Sequence, residues 1–99
     1  MKPVAERFER EHGCTEAEWL GWLPAAVHGH ALRFGAAGTA EVAIGDGQLA
    51  MAWQVLPPRR IALISLPRLL VRYAFADVPA ADRESFMKRF DLHMQRGGG

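Results

Sequence analysis

Cysteine is nearly absent from this chain of 99 residues, because Cys14 is the only one. A single cysteine excludes an intramolecular disulfide framework and a zinc finger built from several cysteines. No apolar run approaches the roughly 18 residues of a membrane helix, and the charged opening segment 1–7 does not resemble a signal peptide. We therefore expect a soluble, cytoplasmic protein with no membrane partner.

Motifs for nucleotide binding and catalysis are missing as well. There is no P-loop and no dinucleotide fingerprint, and the glycine-containing segment 35–38 precedes a predicted strand rather than a helix. Cys14 with His12 is a conceivable nucleophilic pair, and His28 with His30 a conceivable metal-binding pair. Neither pair has the framing motif or the additional ligands that such chemistry requires. We predict no catalytic residue, no metal, no cofactor and no enzymatic activity.

Apolar residues, by contrast, are abundant and make up 49% of the chain. A chain of this length buries roughly 65% of its extended surface on folding, which is enough for one core without metal or disulfide support. We therefore predict a single domain over residues 1–96. The three glycines 97–99 predict a disordered tail.

The net charge of +1 conceals an uneven distribution. Residues 1–51 hold four basic and seven acidic side chains, whereas residues 52–99 hold eight basic and four acidic ones. Between residues 55 and 76 there is no carboxylate but there are four arginines, namely Arg59, Arg60, Arg68 and Arg72. Two interpretations follow: the two halves neutralise each other, or the basic half binds an anionic partner.

Three helices are predicted from spacing and capping signals. Val4 and Phe8 are four residues apart, which favours a short helix over residues 3–12. Thr15 and Glu18 match the capping-box pattern, which predicts a second helix that carries Trp19 and Trp22 and ends at Pro24. Pro79 opens a long C-terminal helix that runs to about residue 95, with a buried stripe formed by Phe86, Phe90 and Met94.

Alternating apolar residues predict strands between these helices. The predicted strands are residues 27–34, 39–44, 48–55, 61–64 and 69–75. Gly45-Asp46-Gly47 indicates a hairpin, Pro57-Pro58 is expected to end a strand, and the segment 65–68 indicates a turn in preference to a kink in one long edge strand. The fold class is therefore α+β, with an antiparallel sheet of four or five strands in hairpins, short N-terminal helices, and one long C-terminal helix packed on one face.

The two faces of this predicted sheet differ in side-chain size. Alternation assigns one face the bulky residues Leu49, Met51, Trp53, Val55, Ile61, Leu63, Leu69, Val71, Tyr73 and Phe75. The other face carries small or aliphatic side chains, and our interface candidates on it are Ala43, Ala50, Ala52, Ala62, Leu70 and Ala74. An apolar patch of this size is usually covered. The Trp19/Trp22 helix, a second subunit and an apolar ligand are the three candidate occupants.

These observations favour a small non-catalytic accessory or interaction protein. It would act through a homodimer or partner interface on the alanine-rich face. The alternative is a module that binds an anionic ligand, either RNA or a phosphorylated small molecule, through Arg59, Arg60, Arg68 and Arg72. Nucleic acid is the less favoured partner, because Tyr73 and Phe75 are assigned to the core face rather than to a base-stacking surface.

Overall fold

Five strands and two helices form the structure, a computed structural model that describes residues 4–98, with side chains as far as residue 96. In chain order the elements are β1 (Arg7–His12), α1 (Glu16–Ala26), β2 (Leu32–Phe34), β3 (Thr39–Ile44), β4 (Gly47–Ile61), β5 (Ile64–Ala76) and α2 (Ala80–Gly98). The strands form one antiparallel sheet in the order β1-β5-β4-β3-β2. The predicted α+β class, with its antiparallel sheet and long C-terminal helix, is confirmed.

The first element is a strand, and our prediction of a helix over residues 3–12 is wrong (residue 3 lies outside the described residues). Strand β1 pairs with β5, which places Phe8 opposite Tyr73, and their rings stack with centroids 4.7 Å apart. A spacing of four residues puts Val4 and Phe8 on one face of a helix, but it also puts them on one face of a strand, whose period is two. The spacing therefore could not discriminate between the two structures.

Helix α1 begins as predicted and ends later. The Thr15 hydroxyl accepts a hydrogen bond from the Glu18 amide at 3.1 Å, and the Glu18 carboxylate accepts one from the Thr15 amide at 2.9 Å. The helix then continues past Pro24 to Ala26. Pro24 is exposed, so the helical hydrogen bond that its missing N–H removes lies on the solvent side.

A turn after α1 shortens the predicted strand 27–34 to Leu32–Phe34. His28 and Gly29 have φ angles of 39° and 92°, in the left-handed region that a strand does not use. The backbone reverses direction there before it enters β2 at the edge of the sheet.

Strands β4 and β5 form one long hairpin, and two predicted boundaries in it are wrong. We expected Pro57-Pro58 to end a strand and residues 65–68 to form a turn. Instead β4 runs on to Ile61, β5 begins at Ile64, and the turn is Ala62-Leu63. Residues 60–75 therefore belong to a hairpin whose turn lies nearer its start than predicted.

A β-bulge accommodates the prolines within the hairpin. Leu56 pairs with Arg68 and Arg59 pairs with Leu66, so Pro57-Pro58 faces the single residue Pro67. An extra residue on one strand accommodates residues that cannot donate to the ladder. The rule that proline ends a strand fails here, because a bulge requires fewer backbone N–H donors than a regular ladder does.

Both helices lie on the same face of the sheet. The Trp19 indole of α1 sits 5.8 Å from the Trp53 ring and 6.1 Å from the Phe90 ring of α2, measured between centroids. The core beneath the helices contains most of the predicted bulky face. Three members of that face are exposed instead, namely Val55, Ile61 and Leu63, because the hairpin extends beyond the area that the helices cover.

Helix α2 continues to Gly98, into the segment for which we predicted a disordered tail, and Gly99 lies outside the described residues. The predicted stripe Phe86, Phe90 and Met94 is buried. Within residues 4–98, neither helix combines the length and the apolar composition that crossing a bilayer requires.

Two glycines in the β3–β4 turn give a matched test of this packing. A Cβ on Gly47 would lie 2.2 Å from the carbonyl oxygen of Asp77 and 2.3 Å from that of Ala76, whereas a Cβ on Gly45, at φ +58°, would meet nothing within 4 Å. We expect Gly47→Ala to lower the free energy of unfolding by about 3 kcal/mol or more and Gly45→Ala by about 1–2 kcal/mol. Urea denaturation measures both values, and equal losses would contradict the close approach at Gly47.

Candidate interaction surface

The face of the sheet opposite the helices carries the alanines that the sequence singled out. We call this side the open face, and we call Ala43, Ala50, Ala52 and Ala74 the alanine shelf. Ala50 pairs directly with Ala74, and Ala43 lies on the next strand. All four are exposed or half-buried. Helix α1, with Trp19 and Trp22, packs on the other face and does not cover the shelf.

The other two interface candidates lie at different positions. Leu70 is half-buried on the open face, opposite Gln54 and adjacent to the shelf. Ala62 lies in the turn of the long hairpin, with φ 53°, and is separated from the shelf. The structure thus brings five of the six candidates together and places the sixth at the end of the hairpin.

Three of the four shelf alanines form the floor of a shallow concavity of about 500 Å³. Ala50, Ala52 and Ala74 line its base, and Arg72 and Glu41 stand at its sides. Alanine side chains produce this depression because they are short, whereas the arginine and glutamate side chains at its margins are long. The shape suits bulky apolar side chains that enter from outside.

The acidic and basic halves of the chain meet along β1 and β5. The Arg72 guanidinium donates to the Glu9 carboxylate at 2.7 Å, and Arg68 donates to Glu11 at 2.7 Å. Arg59 lies 3.9 Å from Glu11. The hydrogen bond from Arg68 lowers the pKa of Glu11 below its ordinary value. Three of the four arginines proposed for anion binding are therefore paired with glutamates of β1.

Two further arginines, Arg33 and Arg60, are not paired with β1. At the far margin, Arg33 of β2 donates to Glu41 of β3 at 2.7 Å, so this margin also carries both signs. Arg60 follows Arg59 along β4, so its side chain lies on the opposite side of the hairpin, and no carboxylate lies within 4.0 Å of it among the described residues. The predicted arginine stripe thus offers one unpaired guanidinium rather than four.

The β4–β5 hairpin extends beyond the neighbouring strands, and we call residues 55–68 the β-arm. β1 pairs with β5 only as far as Leu69, and β3 pairs with β4 only as far as Ala52. Five of the six large apolar side chains of the β-arm are between 43% and 103% exposed, namely Val55, Ile61, Leu63, Ile64 and Leu66, and the sixth, Leu56, is half-buried. This is the largest concentration of exposed bulky apolar residues in the described chain.

Strand pairing shows which side of the β-arm these residues occupy. Arg59 approaches Glu11 on the open face, and it pairs with Leu66. Cross-strand partners share a face and side chains alternate along each strand. Ile61 and its partner Ile64, two residues further along, therefore lie on the same side as the alanine shelf. Val55 lies on the opposite side, because its neighbour Trp53 faces the helices.

A second concavity, of about 330 Å³, contains the cysteine and histidine that we considered as a nucleophilic pair. Cys14 is buried, and burial together with the nearby Glu18 carboxylate raises the pKa of its thiol to about 11. The His12 ring nitrogen Nε2 lies 2.7 Å from the Tyr73 hydroxyl, and burial lowers the pKa of His12. These environments keep the thiol protonated and the imidazole neutral at pH 7.

The histidine pair considered as a metal site engages other groups. The rings of His28 and His30 lie 4.8 Å apart. His28 Nε2 is 3.2 Å from the Phe86 carbonyl oxygen, and His30 Nδ1 is 3.0 Å from the Val27 carbonyl oxygen. In the part of the chain that the structure describes, no group of three or more His, Cys, Asp or Glu side chains is placed to hold a metal ion.

Comparison with known proteins identifies no relative, since no family model, curated protein or solved structure matches this chain.

The β-arm is the main structural feature that our sequence analysis missed. Its signal was the run of apolar residues around Pro57-Pro58 and Pro67, which we divided into separate strands at the prolines. Val55, Ile61 and Leu63 were then assigned to the core. Three prolines close together on two adjacent apolar strands, with no helix-forming segment nearby to cover them, indicate an extension rather than a boundary.

The environment of Cys14 predicts slow alkylation. At pH 7.5 we expect iodoacetamide to modify Cys14 at least about ten times more slowly in the folded protein than in the protein unfolded by urea, because thiolate is scarce and access is restricted. Mass spectrometry over time follows the reaction. A rate in the folded protein equal to or above the unfolded rate would revive the nucleophile hypothesis.

Proposed function

We propose that this protein is a non-catalytic interaction protein that binds a second copy of itself through the open face. The observation that carries the proposal is the position of both helices on one side of the sheet, which leaves the alanine shelf exposed on the other. Monomeric proteins rarely leave large contiguous apolar patches uncovered. A two-fold dimer covers the same patch on both copies at once.

Charge complementarity supports a second copy as the occupant. The β1 margin of the open face carries Glu9 with Arg72, and the β2 margin carries Arg33 with Glu41. Because each margin presents both signs, two copies can face each other without opposing a surface of uniform charge. Complementary charge at the rim contributes to register and specificity more than to affinity.

The extent of the surface is also compatible with a dimer when the β-arm is included. Five strands spaced about 4.8 Å apart and six residues long give the sheet a projected area of roughly 500 Å². A stable interface usually buries about 800 Å² on each partner. The apolar side chains of the β-arm, which continue the open face beyond the sheet, supply further area on the same side.

Anion binding through Arg59, Arg60, Arg68 and Arg72 has less support. A ligand phosphate would have to displace the Glu11 carboxylate from Arg68 and the Glu9 carboxylate from Arg72. Each new arginine–phosphate contact would replace an existing arginine–glutamate contact, so its net contribution to the binding free energy would be small. Arg60 alone does not provide the clustered charge that anionic partners require.

An arginine on the alanine shelf tests the proposal. We expect the wild-type chain to sediment as a dimer at micromolar concentration, and Ala52→Arg to weaken the dimer about a hundredfold or more, because a cation buried against an apolar surface costs about 3 kcal/mol. Ala81→Arg is the matched control, since Ala81 is exposed on α2, on the opposite side of the molecule. It should leave the dissociation constant unchanged.

Sedimentation equilibrium of the three proteins decides the outcome. A wild-type chain that stays monomeric at several hundred micromolar, or an Ala52→Arg variant that dimerises normally, would overturn the proposal. Binding of an RNA oligonucleotide by such a monomer, lost in Arg59→Ala/Arg60→Ala, would favour the alternative.

A further inference from the structure

The β-arm presents bulky apolar side chains that its own chain leaves uncovered. Ile61, Ile64 and Leu66 are each more than 40% exposed, and they lie on the same side of the hairpin as the alanine shelf. Side chains of this size gain stability only when a surface covers them. The two helices cannot supply it, because they pack on the other face of the sheet.

The alanine shelf has the complementary shape. It is a depression of about 500 Å³ with Ala50, Ala52 and Ala74 at its base, and it lacks the large side chains that would fill it. One molecule therefore carries both the projections and the depression, on one side and roughly 20–30 Å apart along the same two strands. Within a single chain the two cannot meet.

We propose that the β-arm of each copy docks on the alanine shelf of the other, in a reciprocal exchange of arms across a two-fold axis. This inference rests on the proposed homodimer and specifies how its interface is built. The axis would lie in the plane of the interface, perpendicular to the strands, at the level of Leu70 and its cross-strand partner Gln54. Aligned packing of this kind is common for two sheets that meet face to face.

This axis places apolar residues of the β-arm over alanines of the partner, and it places Arg68, paired with Glu11, opposite Arg72, paired with Glu9. The two β5 strands run in opposite directions across this axis. A residue that precedes Leu70 in one copy therefore lies over the residue that follows Leu70 by the same number of positions in the partner copy. Leu66 of one copy then meets Ala74 of its partner, and Ile64 meets Ala76, which is exposed next to the shelf. On β4, Leu56 meets Ala52. Each contact occurs twice, since the interface is isologous. The prolines of the bulge lie between the two sets of contacts and permit the arm to bend toward the partner.

Substitutions on the two sides of the β-arm test the exchange. We expect Ile64→Ser/Leu66→Ser to weaken dimerisation at least tenfold, because two apolar side chains lose their burial on the shelf. Val55→Ser is the matched control: Val55 is equally exposed but lies on the opposite side of the β-arm, and its substitution should change the dissociation constant less than twofold. All these positions are exposed, so circular dichroism should show unchanged folding.

Mixing two defective variants distinguishes arm exchange from direct contact between the two shelves. One variant is Ala52→Arg, which blocks the shelf and keeps the arm, and the other is Ile64→Ser/Leu66→Ser, which impairs the arm and keeps the shelf. In the mixed dimer, the intact arm of the first meets the intact shelf of the second. Random pairing alone gives about twice as much heterodimer as each homodimer. We therefore expect native mass spectrometry to detect heterodimer well beyond that statistical excess.

The outcomes separate this inference from the proposed function. If Ala52→Arg blocks dimerisation while Ile64→Ser/Leu66→Ser dimerises normally, the arm exchange is wrong and the open face remains the interface. If mixing yields no heterodimer beyond the statistical excess, the shelves contact each other directly and the exchange is again overturned. If the wild-type chain does not dimerise, both proposals fail.

Discussion

The fully buried indole of Trp19 joins three parts of the molecule that are distant in sequence. It packs edge-on against Trp53 of the sheet and against Phe90 of α2, while the Trp53 indole nitrogen donates to the Glu16 carboxylate at the start of α1. These contacts require both helices to share one face of the sheet. The exposure of the alanine shelf follows directly, because residues 4–98 form no third helix that could cover the other side.

The position of β1 has a comparable effect on the charges. By pairing with β5 rather than forming a helix, it turns Phe8 and His12 toward the core and Glu9 and Glu11 toward the open face. The carboxylates of the acidic half thereby reach Arg72 and Arg68 of the basic half. The asymmetry of charge along the sequence thus becomes local neutrality in the fold, because acidic and basic side chains lie side by side on the open face.

Much of the fold could be predicted from sequence, and the failures share a physical origin. The Thr15 capping box and the Gly45 turn were recognised because their signals depend on a few adjacent residues. The alternation of Ala50, Met51 and Ala52 correctly separated the two faces. By contrast, the conformation of Phe8 depends on Tyr73, which is 65 positions away. The strand continues through Pro57 because of a bulge opposite Pro67. A local sequence pattern does not indicate which distant residues will pair with it.

The candidate surface was predicted in part for the same reason. Five of the six interface candidates lie together because they occupy regular strands, whose period determines their face. Ala62 was misplaced because the turn position was wrong. Periodicity alone does not predict which face of the sheet a helix covers. Trp19 could pack on either face, and its contact with Trp53, which the sequence does not reveal, determines the one it occupies.

The three prolines of the β-arm also have a consequence for colloidal behaviour. A narrow hairpin with apolar side chains and two free edges would ordinarily be a template for strand addition and fibril growth. The base of this hairpin lacks three amide donors, because proline occupies positions 57, 58 and 67. An additional strand could therefore not form a continuous set of backbone hydrogen bonds along its edges. The same residues that complicate the strand assignment thus disfavour association of the β-arm through its backbone.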